Sequence, residues 1–354
     1  MDTPIDNAVH SALVIAVGGG KGGVGKTVIA ANLAVALAKL GARVVAIDAD
    51  LGSANLHTLF GIDRPATTLQ ALIDGRSERL GELAIDSGVP RLSIVAGSVA
   101  TPGAANLQHA RKLKLLRHIA KLEADVVVVD CGAGVHYNVV DFFAAADSQL
   151  LVSNGQLISL QNAYGFLKAS VYRALRQCAK DPERAKLIDP TPSAGTELET
   201  TSQLLARVAQ TDPSLAGELA RELGLIQVSL LGNQLADARE LKALSSLSRM
   251  ISDFLGLRVP VLGGLFRRDR IHAAVSQRRP FLLDGGDDPE TRALFSLAAS
   301  YLQVRGMTPN APPAAAASKY QRQRAYARSS PQWPAVLDTE PGVRPGVRRD
   351  RLRA

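Results

Sequence analysis

Aromatic residues are scarce in this chain: they make up 4% of its 354 residues, whereas hydrophobic residues make up 46%. A core with few aromatic rings has to be built from Ala, Val, Leu and Ile, which suits a parallel sheet covered by helices on both faces. The sequence has no apolar run of the roughly 20 residues that span a bilayer, and no basic segment followed by an apolar one opens the chain. We therefore expect a soluble cytoplasmic protein without a secretory leader.

Cysteine is the other scarce residue. Cys131 and Cys178 are the only two, they lie far apart, and they match no metal-ligand spacing. Reduced thiols in a reducing compartment are the expected state of both. The cysteine content therefore argues against a disulfide-stabilised secreted domain and against an iron–sulfur carrier.

Positive charge is concentrated near the C-terminus. The formal net charge is +8, and residues 307–354 hold nine Lys or Arg against three Asp or Glu, a net of +6, which leaves +2 for residues 1–306. The same segment holds seven of the 18 prolines. We predict a disordered, basic Pro/Arg-rich tail at 307–354 and a flexible lead-in at 1–11.

A glycine-rich segment connects the apolar run Leu13–Val17 to an alanine-rich helical pattern. Its sequence, Gly20-Lys21-Gly22-Gly23-Val24-Gly25-Lys26-Thr27, fits the phosphate-binding pattern G-x-x-x-x-G-K-[ST] in the strand–loop–helix context that the pattern requires. Glycines let the backbone turn its N–H groups toward phosphates, and the positive end of the following helix adds to those donors. We expect Lys26 to reach the β- and γ-phosphates and the Thr27 hydroxyl to ligate Mg²⁺.

Strands and helices alternate along most of the chain. The predicted strands are Leu13–Val17, Arg43–Asp48, Leu92–Ala96, Asp125–Asp130, Gln149–Ser153, Leu225–Leu231 and Val259–Leu265. Helical patterns between them predict an α/β fold, a doubly wound and mostly parallel sheet of about seven strands, in one domain over residues 12–306. Residues 181–222 interrupt the alternation and carry helix-start signals at Thr196–Glu199 and Asp212-Pro213, so we predict a helical insertion there.

Three acidic residues lie at the carboxyl ends of predicted strands, where such sheets bind their ligands. Asp48 and Asp50 close the second strand, and Asp130 closes a run of four valines. Burying an acid there is costly unless a cation or a water network compensates it. A strand-end Asp can also cap the following turn, but the phosphate-loop pattern favours a role near a triphosphate and its metal.

A standard phosphate loop does not require a lysine directly after its first glycine, the position that Lys21 occupies. A long cation directly after the first glycine does not fold back easily onto phosphates that its own loop wraps. It could instead reach a nucleotide held by a second subunit and supply charge in trans, as arginine fingers do.

These motifs resemble those of the MinD/ParA class of ATPases. The stretch Lys21–Thr27 is similar to the deviant Walker A motif of that class, Asp48–Asn55 to its first switch and Asp130–Gly134 to its second. The resemblance runs from about Val14 to Leu283 and implies a P-loop NTPase fold of the SIMIBI type.

Within the class, the chain looks most similar to the FlhG branch of MinD-like proteins, whose members govern flagellar number and placement. Three segments carry this similarity: Ala49-Asp50-Leu51-Gly52, Gly132-Ala133-Gly134 and Asn162-Ala163-Tyr164.

The resemblance also implies roles for individual residues. Lys21 would contact the nucleotide of the partner subunit, and Asp50 would position the attacking water. Asp48 would be a catalytic residue beside Asp50. Thr27, Asp48 and Asp130 would surround Mg²⁺. The residues implied to bind ATP are Gly20, Lys21, Gly22, Gly23, Val24, Gly25, Lys26, Thr27, Val28 and Asn233, of which Asn233 would read adenine after the sixth strand.

The implied activity is a slow, Mg²⁺-dependent and partner-stimulated ATPase that forms a homodimer on ATP. Its partner would be a protein at the membrane or the cell pole, and its place the cytoplasm or the periphery of the inner membrane, with anionic lipid as one candidate platform. A ParA-type ATPase that binds DNA nonspecifically for chromosome or plasmid partitioning is the alternative. The excess charge of only +2 in residues 1–306 argues against it.

Overall fold

Eight strands form one sheet in the computed structural model, which describes residues 12–97, 107, 109–189 and 199–310. In sheet order they are β3 (Ile85–Asp86), β4 (Leu92–Val95), β2 (Val44–Asp48), β5 (Val126–Asp130), β1 (Leu13–Gly18), β6 (Ser148–Ser153), β7 (Val228–Leu235) and β8 (Val261–Phe266). Neighbouring strands are parallel except β3 with β4. The predicted doubly wound sheet is confirmed, and β3 is a short antiparallel edge strand whose two residues are too few to show a sequence period.

Helices cover both faces of the sheet. Within the described ranges they are α1 (Lys26–Lys39), α2 (Leu69–Ile73), α3 (His109–Ala120), α4 (Tyr137–Ala145), α5 (Leu157–Cys178), α6 (Pro182–Lys186), α7 (Thr201–Thr211), α8 (Pro213–Gly224), α9 (Ala238–Leu255), α10 (Asp269–Ser276) and α11 (Pro289–Val304). Helix α1 packs against α11 in one core, while α3, α4, α5 and α9 contribute to the other. Both cores are built mainly from Ala, Val, Leu and Ile, as the composition predicts.

Strand β7 differs most from its prediction, while the other predicted strands agree within two residues at each end. The sequence predicts Leu225–Leu231, whereas β7 is Val228–Leu235. The N–H groups of Leu225 and Ile226 bond back to carbonyls of α8, so these residues complete that helix instead of starting the strand. Asn233 therefore lies inside β7, not after it as expected.

Three helices, α6 to α8, are described between α5 and β7, where the structure describes residues 179–189 and 199–227. Helix α8 begins at Pro213, and the Asp212 carboxylate accepts from the Leu215 N–H at 2.8 Å, as the Asp-Pro pair predicts. The predicted start signal at Thr196–Glu199 falls on residues outside the described ranges, apart from Glu199. In the structure, α7 starts with a capping box formed by Thr200 and Gln203.

The two predicted terminal segments lie outside the described residues, apart from Met307–Asn310. Those four residues follow α11 and lie against the end of α1, where the Asn310 N–H donates to the Leu40 carbonyl at 2.9 Å. Among the described residues, no helix combines the length and the apolarity needed to cross a bilayer.

Candidate nucleotide-binding site

The glycine-rich loop joins the end of β1 to the first turn of α1. Gly23 and Gly25 have φ angles of 81° and 85°, which glycine adopts without steric strain. Gly25 is the N-cap of α1 and offers no side chain to the free N–H groups of the first turn. These donors and the positive end of the helix dipole are therefore available to an anion.

Close packing is a second reason why this loop needs glycine. A Cβ atom on Gly20 would overlap the backbone oxygen of Asn162 in α5, and one on Gly19 would lie 2.6 Å from the Val152 carbonyl oxygen. A Cβ on Gly22, in contrast, would meet nothing closer than Ala133, at 4.0 Å. The first part of the loop is thus seated on β6 and α5, while Gly22 and Gly23 are exposed.

Lys26 crosses the inside of the loop. Its side chain is largely buried, and Nζ donates to the backbone oxygen of Lys21 at 3.1 Å. Burial lowers the pKa of Lys26, and the charges of Asp130 and Asp50 partly oppose that shift. An ammonium held this way by one carbonyl can exchange that contact for a phosphate oxygen.

Asp48 and Asp130 face each other at the ends of two adjacent strands, because the register pairs them across β2 and β5. Their residues are 0% and 2% exposed. Burial, with a smaller contribution from the Asp50 charge, raises the pKa of Asp48 to about 7, although the N–H groups of Leu56 and Asp50 donate to its carboxylate. Burial and the charge of Asp48 likewise raise the pKa of Asp130 well above its usual range.

The residues around Asp130 fit a small, hard cation. The Thr27 hydroxyl bonds to the Asp130 carboxylate, yet Oδ1 of Asp130 is buried without a hydrogen-bond partner. Within the described ranges, His, Cys, Asp and Glu side chains form no cluster of three or more that could hold a metal by themselves. This arrangement suits Mg²⁺, which takes one or two protein ligands and fills its shell with water and phosphate oxygens.

Asp50 lies at the loop that follows β2. Its Oδ1 accepts from the N–H groups of Gly52 and Ser53, at 3.1 and 3.0 Å, which fixes the carboxylate. The same carboxylate packs against Gly132, where an added Cβ would lie 3.1 Å from Asp50 Cγ. The two segments predicted as switches are therefore in contact.

Asn233 contacts the phosphate loop. Its Nδ2 donates to the Val24 carbonyl at 2.8 Å, and a Cβ on Gly25 would overlap it. Its neighbour Gln234 has a φ of 55°, and the Gln234 carbonyl accepts from Arg267 at 2.9 Å. Val28 is half-buried in the first turn of α1. The sequence motifs do not identify Gln234 and Arg267 as part of the site, because neither residue is a defined position of a recognised motif.

Exposed apolar side chains flank the loop. Val135 and Tyr137 at the start of α4 are 55% and 72% exposed, and Leu157 and Ile158 at the start of α5 are 70% and 61% exposed. We call these four residues the apolar ridge; they are four of the seven large hydrophobic side chains that are exposed in the described part of the chain. No sequence signal reveals this ridge, because two adjacent apolar residues such as Leu157 and Ile158 can also lie together on the buried face of a helix.

Fold and site together define a P-loop nucleotide-binding protein of the α/β class. The model of the CobQ/CobB/MinD/ParA nucleotide binding domain matches residues 15–281. The chain belongs to this family, as its motifs predict.

Two curated relatives are similar to part of the chain. The antiactivator FleN of Pseudomonas aeruginosa is 38% identical over 187 residues, which are 51% of this chain and 66% of FleN. The septum site-determining protein MinD of Synechocystis is 33% identical over 156 residues, 42% of this chain and 56% of MinD. The matched region spans less than two thirds of the length of either relative.

Solved structures show the same fold. Pyrococcus furiosus MinD superposes with a TM-score of 0.57 at 19% identity, covering 83% of this chain and 99% of MinD. MinD of Pyrococcus horikoshii, solved with Mg-ADP, has a TM-score of 0.57 at 18% identity and covers 83% and 98% of the two chains. A ParA family ATPase of Chlorobium tepidum has a TM-score of 0.54 at 18% identity, covering 81% and 98%.

Because the first part of the loop packs on β6 and α5, we predict that two glycine substitutions change the free energy of unfolding by different amounts. Gly20→Ala should lower the free energy of unfolding by about 1–3 kcal/mol, because the new methyl group overlaps the α5 backbone. Gly22→Ala, the matched control, should change it by less than about 0.5 kcal/mol. Urea denaturation of the nucleotide-free protein measures both, and equal effects would show that α5 does not seat the loop.

The buried carboxylates predict that the nucleotide-free and magnesium-free protein loses stability as pH rises. Because folding raises the pKa of Asp48 from 3.8 to about 7, its contribution is complete below about pH 4 and is lost as pH rises through 7. The loss amounts to at most about 4 kcal/mol. Asp48→Asn should flatten the dependence between pH 5 and 7.5 in urea denaturation, whereas Asp253→Asn, on the exposed side of α9, should keep it.

Proposed function

We propose that this protein is an ATP-dependent dimerising switch that hydrolyses ATP slowly and controls the positioning of a cellular structure. The observation that carries the proposal is the meeting of Lys26, Thr27, Asp48, Asp50 and Asp130 around one glycine loop. A cation, a hydroxyl and three carboxylates at a helix N-terminus match the needs of phosphoryl transfer to water.

ATP would bind along the loop. The N–H groups of Gly22–Val28 would hold the phosphates, and Lys26 would move its ammonium from the Lys21 carbonyl to the β- and γ-phosphate oxygens. Asn233 would present its side-chain amide to adenine, since it lies buried beside Val24 and Gly25.

Magnesium would be held by Thr27, Asp48 and Asp130. Asp130 offers the buried oxygen that lacks a partner, and Asp48 the facing carboxylate. When bound, the metal neutralises charge on the β- and γ-phosphates. It would also lower the pKa of both carboxylates, so that they remain ionised at neutral pH.

Asp50 would hold the attacking water. The two hydrogen bonds to its Oδ1 fix the carboxylate toward Gly132 and the phosphate loop, so it can accept a hydrogen bond from water beside the γ-phosphate. Asp50 would orient this water and take its proton as the bond to phosphorus forms.

This role predicts that Asp50 variants bind ATP but do not hydrolyse it. Asp50→Asn keeps an oxygen acceptor for Gly52 and Ser53 but lacks the negative charge, so turnover should fall about 100-fold or more while ATP affinity stays within a few-fold. Phosphate release and nucleotide titration measure the two quantities. Asp50→Ala should behave alike, and Asp253→Asn should keep wild-type turnover; an Asp50→Asn enzyme with wild-type turnover would refute the role.

A second copy of the chain would close over the nucleotide. In the described part of the chain the Lys21 ammonium has no hydrogen-bond or ion-pair partner, and Lys21 sits next to Gly20, which contacts α5. The apolar ridge flanks the loop on two sides. A self-complementary contact would therefore combine apolar burial with a cation directed at the partner's phosphates.

We predict that ATP-dependent dimerisation needs both features. Lys21→Ala, and separately Leu157→Ser with Ile158→Ser, should bind ATP yet remain monomeric, because the first lacks the cation and the second most of the ridge. Light scattering with Mg²⁺ and ATP gives the mass. The matched control, Leu225→Ser with Val304→Ser, changes exposed apolar residues elsewhere and should dimerise; dimers of wild-type mass in the Lys21 variant would contradict the trans role.

Regulation of flagellar number and placement is the process that we propose, because the chain is similar to FleN and to the FlhG branch. DNA partitioning is the second candidate, supported by the similarity in fold to a ParA family ATPase. Capture with the Asp50→Asn protein under ATP and under ADP separates them. Recovery of a flagellar or polar protein under ATP supports the first, and ATP-dependent binding to long DNA that weakens steeply with salt supports the second.

A further inference from the structure

Helix α3 exposes a row of basic residues that the nucleotide site does not use. Arg111, Lys114, Arg117 and His118 lie on its outer side, and Lys121 directly follows its last residue; we call these five residues the α3 basic stripe. At 3.6 residues per turn they fall within about 120° of the helix circumference and extend over about 15 Å. Residues 109–122 contain no acidic residue.

The helix is fixed with this side outward. Leu115 and Ile119 are buried in the core on its inner side. The buried Lys112 forms an ion pair with Asp141 of α4, and Arg173 of α5 donates to the same carboxylate at 2.7 Å. Breaking such a buried pair by rotation would cost several kcal/mol, so the orientation of the stripe is rigid.

The positive charge of the stripe affects the pKa of His118, one of its own residues. Burial and the charges of Lys114 and Lys121 lower the pKa of His118. Asp74 is the carboxylate beside Arg111, and hydrogen bonds from Gln70 and Arg76 already engage it, at 2.6 and 3.1 Å. Within residues 109–122 the stripe therefore supplies positive charge and no negative charge.

The positive charge of the stripe is local, and the surface around it favours one kind of anionic partner. Residues 1–306 carry a net charge of only +2, so a long polyanion such as DNA would meet a nearly neutral body beyond the stripe. None of the exposed large hydrophobic residues in the described ranges lies on α3, so the stripe offers no apolar anchor to a lipid bilayer. A short segment rich in Asp and Glu matches both the length and the sign of the charge.

We propose that the α3 basic stripe is a docking surface for an acidic segment of a protein partner. A length of about 15 Å corresponds to about three turns of an acidic helix or about five residues of an extended acidic peptide. This surface lies on α3 and needs neither the apolar ridge nor the phosphate loop, so it stands apart from the proposed ATP switch.

The test uses the full-length protein and a fluorescent ten-residue oligoglutamate peptide as the probe. Arg111→Gln, Lys114→Gln and Lys121→Gln in one chain should weaken peptide binding about tenfold, since three exposed ion pairs are lost. The matched control, Lys180→Gln, Arg249→Gln and Arg258→Gln, removes the same charge from exposed sites outside α3 and should stay within twofold of wild type.

Carbodiimide cross-linking locates the peptide directly. Mass spectrometry should find it joined to Lys114 and Lys121 and absent from Lys180. Equal weakening by both triple variants, or cross-links only outside α3, would overturn the proposal. DNA and lipid are the other possible occupants, and a 30-base-pair duplex and phosphatidylglycerol vesicles test them. If either binds through the stripe more tightly than oligoglutamate, that polyanion is the ligand and the proposal is overturned as well.

Discussion

The structure depends on one unfavourable contact: two carboxylates that the sheet register holds face to face, away from water. Asp48 and Asp130 end adjacent strands, and neither can turn outward because each strand is buried on both faces. Without a cation, the buried pair keeps a proton, in agreement with the raised pKa values of both carboxyl groups. The site is thus prepared for positive charge before any ligand arrives, and Lys26 and Thr27 are the groups of the loop placed to share in that compensation.

The glycines of the loop satisfy two constraints at once. Gly23 and Gly25 allow backbone angles that turn N–H groups inward, while Gly19 and Gly20 allow the loop to lie directly on β6 and α5. A single motif therefore links phosphate geometry to the position of α5. Any nucleotide that shifts the first part of the loop must also press on α5, which begins with two members of the apolar ridge.

Most of the fold followed from patterns with a physical origin. Runs such as Val126–Val129 are apolar on both sides and could only be central parallel strands, and their terminal acids were correctly located at one edge of the sheet. The start of β7 was misplaced because Leu225 and Ile226 are apolar in either setting, and only the hydrogen bonds to α8 decide between helix and strand. Gln234, Arg267 and the apolar ridge depended on tertiary contacts and exposure, which a single sequence does not encode in a local period.

The hydrogen bond between Asn310 and Leu40 has a practical consequence for labelling. Leu40 lies at the far end of α1, so the chain leaves the described body about 20 Å from the phosphate loop along that helix. A fluorescent protein or affinity tag joined directly after Asn310, in a chain shortened to that residue, would start from this remote point. Such a label would begin at the opposite end of α1 from the mouth of the nucleotide pocket.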